Sequence, residues 1–185
     1  MDLAAKWKRT TSNLIGSFRI FSIREDRYKL PRNNQEGTFY ILESSDWVNV
    51  IPLTDSGEVI LIRQFRFGTE EVTLEIPGGL VEPAHTPLQA AQNELLEETG
   101  FQPEQWEYLG FVHPNPAFLN NRCHSFLARG VKKVAETRLE ESEEIETLSV
   151  PYQEIKGLIA AGQIRHSLVL CAFHLYALQG QGPTF

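Results

Sequence analysis

The chain has 185 residues, 42% of them hydrophobic and 22% charged, enough for one domain of ordinary size with a sizeable core and no need of disulfides or structural metals. A formal net charge of -7 excludes nucleic acid as the main partner, because there is no basic excess to release phosphate counterions. Small phosphorylated substrates stay open, provided that cations and a few placed arginines offset the repulsion.

Taken in chain order, residues Leu14 to Tyr40 alternate in polarity and are rich in β-favouring aromatics, with a Pro-Arg-Asn-Asn turn, and read as antiparallel strands. Trp47–Ile51 and Val59–Ile62 read as two stronger strands joined by Thr54-Asp55-Ser56-Gly57, a hairpin in a sheet with one buried face. Arg63-Gln64-Phe65-Arg66 follows, then Leu74-Glu75-Ile76-Pro77-Gly78-Gly79, whose glycines let the backbone come close to a ligand. Past the next helix, Trp106–Val112 and Ser125–Ala128 read as strands flanking the Pro-rich loop His113–Leu119. The acid-dense stretch Glu136–Glu146 reads as a loop. Two helices close the chain, Pro151–Gly162 with Ile155, Leu158 and Ile159 inward, and a last one capped by His166-Ser167 with Leu168, Cys171, Ala172 and Leu175 inward. Residues after Leu178 are expected to fray.

The stretch Thr86–Gly100, TPLQAAQNELLEETG, carries the clearest punctuation. Thr86 and Gln89 form a capping box, Pro87 suits the first helical position, and Gly100 is the stop. Leu88, Leu95 and Leu96 make an apolar arc, whereas Glu94, Glu97 and Glu98 fall at i, i+3 and i+4 on another face. Like charges so spaced cost about 0.2 to 0.5 kcal/mol per pair. Either that face is simply solvated, or a hard divalent cation offsets the cost, since Mg2+ takes oxygen ligands and bridges carboxylates to phosphates.

From Gly79 the order is five residues, His85, seven residues, then Asn93-Glu94-Leu95-Leu96-Glu97-Glu98-Thr99-Gly100-Phe101. This resembles the Nudix box, G-x5-E-x7-R-E-U-x-E-E-x-G-U with U a bulky apolar residue. The resemblance extends from about Trp47 to Leu178 and implies an α/β/α sandwich around a mixed sheet. The segment before Trp47 is similar to the subgroup acting on ADP-ribose and ADP-sugars, whose N-terminal antiparallel sheet packs or swaps across a dimer. The expected division is residues 1–45, N-terminal antiparallel strands for which the resemblance implies a part in a dimer, and 46–185, the hydrolase domain.

For activity, the resemblance implies hydrolysis of ADP-ribose or a related ADP-sugar to AMP and a sugar phosphate, with Mg2+ or Mn2+ as cofactor. It implies the Gly78 carbonyl, Glu94, Glu97 and Glu98 as metal ligands, and Glu97, Glu98 and Glu143 as catalytic groups, with Glu143 the general base. Arg66, Glu75 and Pro116 are implied for substrate. Bidentate gripping of a diphosphate suits the Arg66 guanidinium, and the competing reading is a surface pair with Glu70 or Glu71. For Glu143 the competing reading is a solvated loop acid.

Two positions depart from the box: His85 stands where the pattern has Glu, and Asn93 where it has Arg. Both lie outside the acidic triplet, so a retained metal site with reduced or redirected activity is expected. The alternatives are an enzyme for another nucleoside diphosphate derivative, such as GDP-mannose, and a catalytically silent nucleotide sensor. His113 and His124 are isolated polar residues, and Cys123 and Cys171 read as buried, inert thiols. The stretch MDLAAKWKRT has no apolar h-region and no apolar run spans a bilayer, so cytoplasm and no membrane partner are expected.

Overall fold

The computed structural model describes residues 3–139, 141 and 143–180. The chain forms two compact units: one takes the residues up to Ser45 together with His113–Arg122, and the other takes Asp46–Val112 with the residues from Cys123 onward.

In the first unit, β1 (Lys8–Ser17), β2 (Ser22–Lys29) and β3 (Glu36–Glu43) form an antiparallel sheet in that order. The buried carboxylate of Asp26 on β2 accepts from Arg24 Nε at 2.9 Å and from Arg9 Nη1 at 3.5 Å, so its charge is paired. Trp7, Tyr28 and Phe39 meet edge to face, with centroids 5.8 to 6.5 Å apart. The 113–122 segment is sewn to the end of β3 by Leu42 N–H donating to the Phe118 carbonyl at 2.8 Å and Asn121 Nδ2 to the Ser45 carbonyl at 3.0 Å.

The second unit is built on β4 (Trp47–Leu53), β5 (Glu58–Arg66), β6 (Glu71–Glu75), β7 (Phe101–Gln102), β8 (Gln105–Val112), β9 (Cys123–Arg129), β10 (Lys132–Lys133) and β11 (Ile145–Pro151). Its helices are α1 (Pro87–Thr99), α2 (Tyr152–Ala160) and α3 (Ser167–Leu178). The main sheet runs β11-β5-β4-β9-β8, with β6 added against β5, and β7 pairs β10 separately. Only β4 and β9 run parallel, so the sheet is mixed. Alternation along the strands sends side chains to two cores. Val48, Val50 and Ile60 join Ala90, Ala91 and Leu95 of α1 on one face. Ile51, Val59 and Leu61 join Ile155 of α2 and Val169, Ala172 and Phe173 of α3 on the other. The expected sandwich is therefore the observed fold.

Three local expectations are corrected. The Thr54–Gly57 turn forms, yet β4 pairs β5 only at Leu53 and Val59, because β9 takes the length of β4 while β11 and β6 take β5. Helices cover both faces of this sheet, so Val48, Asn49, Val50 and Ile51 are all buried, not one face alone. In α3 the inward stripe is Val169, Ala172, Phe173 and Tyr176, one residue on from the expected one, and His166 precedes the helix without a side-chain capping bond. The expected fraying falls mainly on residues 181–185, outside the described ones.

Candidate active site

The turn after β6 is zipped to β4. Val50 N–H donates to the Pro77 carbonyl at 2.9 Å, Val48 N–H to the Gly79 carbonyl at 2.9 Å, and Gly79 N–H to the Val48 carbonyl at 3.1 Å. Both glycines are required by space. A Cβ at Gly78 would stand 2.3 Å from the Val48 carbonyl oxygen, and one at Gly79 would stand 2.1 Å from Glu94 Oε1. Bare backbone is what lets α1 bring its acids this close.

The helix forms as its sequence predicts, with both halves of the Thr86–Gln89 capping box made and Gly100 left-handed at φ 76°. Its inner face differs from the expected leucine arc: Ala90, Ala91, Leu95, Glu98 and Thr99 are buried, while Leu88 is exposed. Small residues let α1 approach the sheet, and that approach takes Glu98 inward with them. Glu98 is 3% exposed and accepts the Gly78 N–H at Oε2, 2.9 Å away. Burial pushes its carboxyl well above the ordinary range, the neighbouring Glu94 adds to the rise, the Gly78 N–H opposes it, Glu143 raises it further and Arg66 lowers it. Glu94 is half-buried beside Gly79, and Glu97 is exposed.

Arg66 ends β5 and Glu75 ends β6, with Arg66 paired to Glu71 and Ile62 to Glu75 in the ladder. The guanidinium grips Glu75 in a fork, Nε to Oε1 and Nη2 to Oε2, both 2.7 Å. Thr73 Oγ1 donates to Glu75 Oε1 at 2.5 Å. Burial alone would raise the Glu75 pKa, but the bonds from Arg66 and Thr73 bring it below the ordinary carboxylate value. The surface pairing weighed for Arg66 is thus replaced by a part-buried one with Glu75, and Glu71 pairs instead with Arg165 at 3.0 Å. Glu75, expected on substrate, here spends both oxygens on Arg66 and Thr73. Thr73 escaped the sequence reading, although its place two residues before Glu75 on a strand was the available signal.

Arg66, Gln64, Phe65, Phe67, Glu141, Glu143 and Glu144 line a pocket of about 430 Å³. Glu143 also acts electrostatically on both Glu98 and Arg66. Pro116 is exposed and belongs to the first unit. His85 Nδ1 lies 3.7 Å from Glu82 Oε2, beyond hydrogen-bond range, and Asn93 is exposed. His124 joins Tyr108 Oη at 2.9 Å to Asp46 Oδ2 at 3.2 Å, the hydrogen-bonded strand residue expected of it. Cys123 is buried, with its thiol pushed up to about 12 by burial.

A NUDIX domain model matches residues 45–173. The chain belongs to the NUDIX domain family. This NUDIX protein is 30% identical to the methanol dehydrogenase activator of Bacillus methanolicus over 93% of each chain. It is 28% identical to the ADP-ribose pyrophosphatase of Bacillus subtilis over 85% of each. A crystal structure of an ADP compounds hydrolase superposes with a TM-score of 0.82 at 21% identity, covering 96% of this chain and 97% of that one, and establishes the shared fold.

Hydrolases of this family generally use divalent metals, and the donors here are chemically suited to one. Glu94, Glu97 and Glu98 offer only oxygen, which a hard cation takes. A cation would also favour the ionised form of Glu98, which burial first and the charge of Glu94 second now disfavour. Among the described residues no three His, Cys, Asp or Glu side chains are already drawn together at metal-holding separations.

Proposed function

We propose that this NUDIX protein is a metal-dependent hydrolase that cleaves the diphosphate of ADP-ribose or a related ADP-sugar, giving AMP and a sugar phosphate. The observation that carries this reading is Glu98, buried and charged-group-crowded, held by the Gly78 N–H beside Glu94. The likeness to a protein named ADP-ribose pyrophosphatase supports the substrate class.

In this reading Glu94, Glu97, Glu98 and the Gly78 carbonyl hold Mg2+ or Mn2+. Held there, such a cation would supply Lewis acidity for the phosphoryl oxygens and the attacking water. Water attacks one phosphorus, its proton passes to the Glu143 carboxylate, and the bond from that phosphorus to the bridging oxygen breaks. Arg66 faces the diphosphate and offsets charge that develops there, while Glu75 and Thr73 hold its guanidinium in one orientation. Residues 1–45 supply the contact of a C2 homodimer, a reading supported by the exposed apolar Leu14, Ile15, Phe18 and Ile20. The unpaired thiols of Cys123 and Cys171 support a reducing, cytoplasmic setting.

The likeness to the methanol dehydrogenase activator, which spans more of both chains than the likeness to the pyrophosphatase, favours a second reading in which the protein acts on another enzyme. One assay separates the two. Purified protein is given ADP-ribose, other ADP-sugars, GDP-mannose, dinucleotides and nucleoside triphosphates with Mg2+ or Mn2+, and products are resolved chromatographically. AMP release from ADP-ribose that stops in EDTA is the expected result. Absence of turnover on every free nucleotide, with stimulation of an alcohol dehydrogenase, would establish the second reading instead.

A further inference from the structure

The wall of the pocket beside Arg66 holds an amide with no bond to make. Gln64 stands on β5, opposite Ile145 of β11 on one side and Thr73 of β6 on the other, and alternation puts its side chain on the face of Ile60 and Arg66. Thr73 Oγ1 also donates to the Gln64 carbonyl at 3.3 Å, so the backbone here is held from both edges. The side chain lines the pocket with Arg66 and Glu143, yet its Oε1 is buried and accepts no hydrogen bond among the described residues. A buried acceptor without a donor weakens the folded state, and a leucine of similar volume would not.

The other lining residues restrict what can supply the donor. Glu141, Glu143 and Glu144 border the same space and, when ionised, only accept. Arg66, the cation among these residues, already gives Nε and Nη2 to Glu75. Phe65 and Phe67 add apolar rings, edge to face with centroids 5.4 Å apart. A further phosphate entering here would meet the carboxylates as a like charge. A purine would turn its ring nitrogens, themselves acceptors, toward acceptors. A sugar ring meets every part of the wall. Its hydroxyls donate to the carboxylates and to the amide oxygen and accept from the amide nitrogen, and its C–H face packs on an aromatic ring. The last torsion of a glutamine is broad, so the amide turns toward a hydroxyl at little cost.

We propose that this pocket is the subsite for the neutral sugar on the far side of the diphosphate, with Gln64 reading its hydroxyls and Phe67 packing against it. The proposal rests on the reading of the site as an ADP-sugar hydrolase and adds which part of the substrate the pocket takes. The ribose of the nucleoside has the same hydroxyl chemistry, but it would draw the purine after it into a space lined by acceptors.

The test uses the full chain as wild type, Gln64→Leu and Phe67→Ala, with ADP-ribose, ADP-glucose and the β-methyl ester of ADP, which keeps the nucleoside and the diphosphate and lacks the distal sugar. Affinities are measured by calorimetry in EDTA, and kcat/KM with Mn2+. Wild type is expected to bind both ADP-sugars about tenfold more tightly than the methyl ester. Gln64→Leu should lose most of that preference in affinity and in kcat/KM, and its melting temperature should not fall, because the buried acceptor without a partner is gone. Phe67→Ala should lose part of the preference and melt like wild type, since Phe67 is 78% exposed. A preference that survives Gln64→Leu overturns the proposal. An equal loss on all three ligands overturns it too, because the methyl ester retains the nucleoside ribose, and Gln64 would then read that ring or the diphosphate. A wild type that prefers the sugars in EDTA but turns over no nucleotide with Mn2+ sinks the proposed function, and the loss of preference in Gln64→Leu still decides the subsite. A wild type that hydrolyses ADP-ribose but binds the methyl ester as tightly overturns the subsite and leaves the proposed function standing.

Discussion

Gly78 and Glu98 are twenty residues apart, and the backbone N–H of the first donates to the carboxylate of the second at 2.9 Å. The bond opposes but does not cancel the push that burial and Glu94 give this acid toward its neutral form, so its ionised form carries an electrostatic cost at this point. The folded pKa of Glu98 lies above its unfolded value. The native state therefore binds the extra proton, and the stability present below the ordinary value of 4.5 is lost as pH rises through the folded pKa. In EDTA, the melting temperature of wild type should fall across that interval, and Glu98→Gln, which keeps an acceptor for Gly78, should remove this part of the fall. Saturating Mn2+ should raise the wild-type melting temperature above that interval and leave Glu98→Gln nearly unmoved. The same substitution should lower turnover at least about hundredfold. A thermal scan against pH, with and without Mn2+, reads all but the last of these outcomes.

The adjacent glycines should fail in different ways. At Gly78 the obstacle to a Cβ is the Val48 main-chain oxygen, 2.3 Å away, which cannot move without breaking the bonds that hold the turn to β4. Gly78→Ala is expected to lower the melting temperature sharply. At Gly79 the obstacle is the far end of the Glu94 side chain, 2.1 Å away, which can swing aside. Gly79→Ala should melt close to wild type but bind Mn2+ about tenfold more weakly. Equal destabilisation by both would refute this division.

Much of this arrangement was legible in the sequence because it is local. The capping box, the stop at Gly100 and the acids at i, i+3 and i+4 are set within one helix, and the glycine spacing brings in the turn. What the sequence left hidden depends on distant packing. The parallel neighbour of β4 is β9, over seventy residues on, so the hairpin pattern around Thr54–Gly57 could not reveal that pairing ends at Leu53 and Val59. The inward face of α1 is chosen by how near alanine lets the helix come to the sheet, and periodicity alone gave the bulkier Leu88 in place of Ala90 and Ala91. Arg66 and Glu75 were both singled out, but that each is the other's partner follows from the β5–β6 ladder.

That pair gives the next expectation. Glu75 is buried, whereas the Arg66 side chain is 38% exposed, so breaking the fork should cost less than the roughly 3 to 5 kcal/mol of a fully buried pair, about 2 kcal/mol. Glu75→Gln should show this loss in urea unfolding at neutral pH. The folded pKa of Glu75 is depressed, so its contribution is present above 4.5 and disappears as pH falls through the folded value. Wild type and variant should therefore converge in stability toward low pH. A difference that persists unchanged at acid pH would show that packing, not charge, holds this corner.

Glu143 gives the sharpest separation between proton transfer and metal holding. It faces the pocket shared with Arg66 and acts on Glu98 through charge, but it stands in the loop before β11 and not on α1. If it accepts the proton of the attacking water, Glu143→Gln should lower kcat by about 10² to 10⁴ while Mn2+ affinity stays within about twofold. Glu98→Gln should lose Mn2+ affinity and turnover together. A Glu143→Gln protein that loses both in parallel would assign this loop acid to the metal, and the base would then have to be sought elsewhere along the pocket wall.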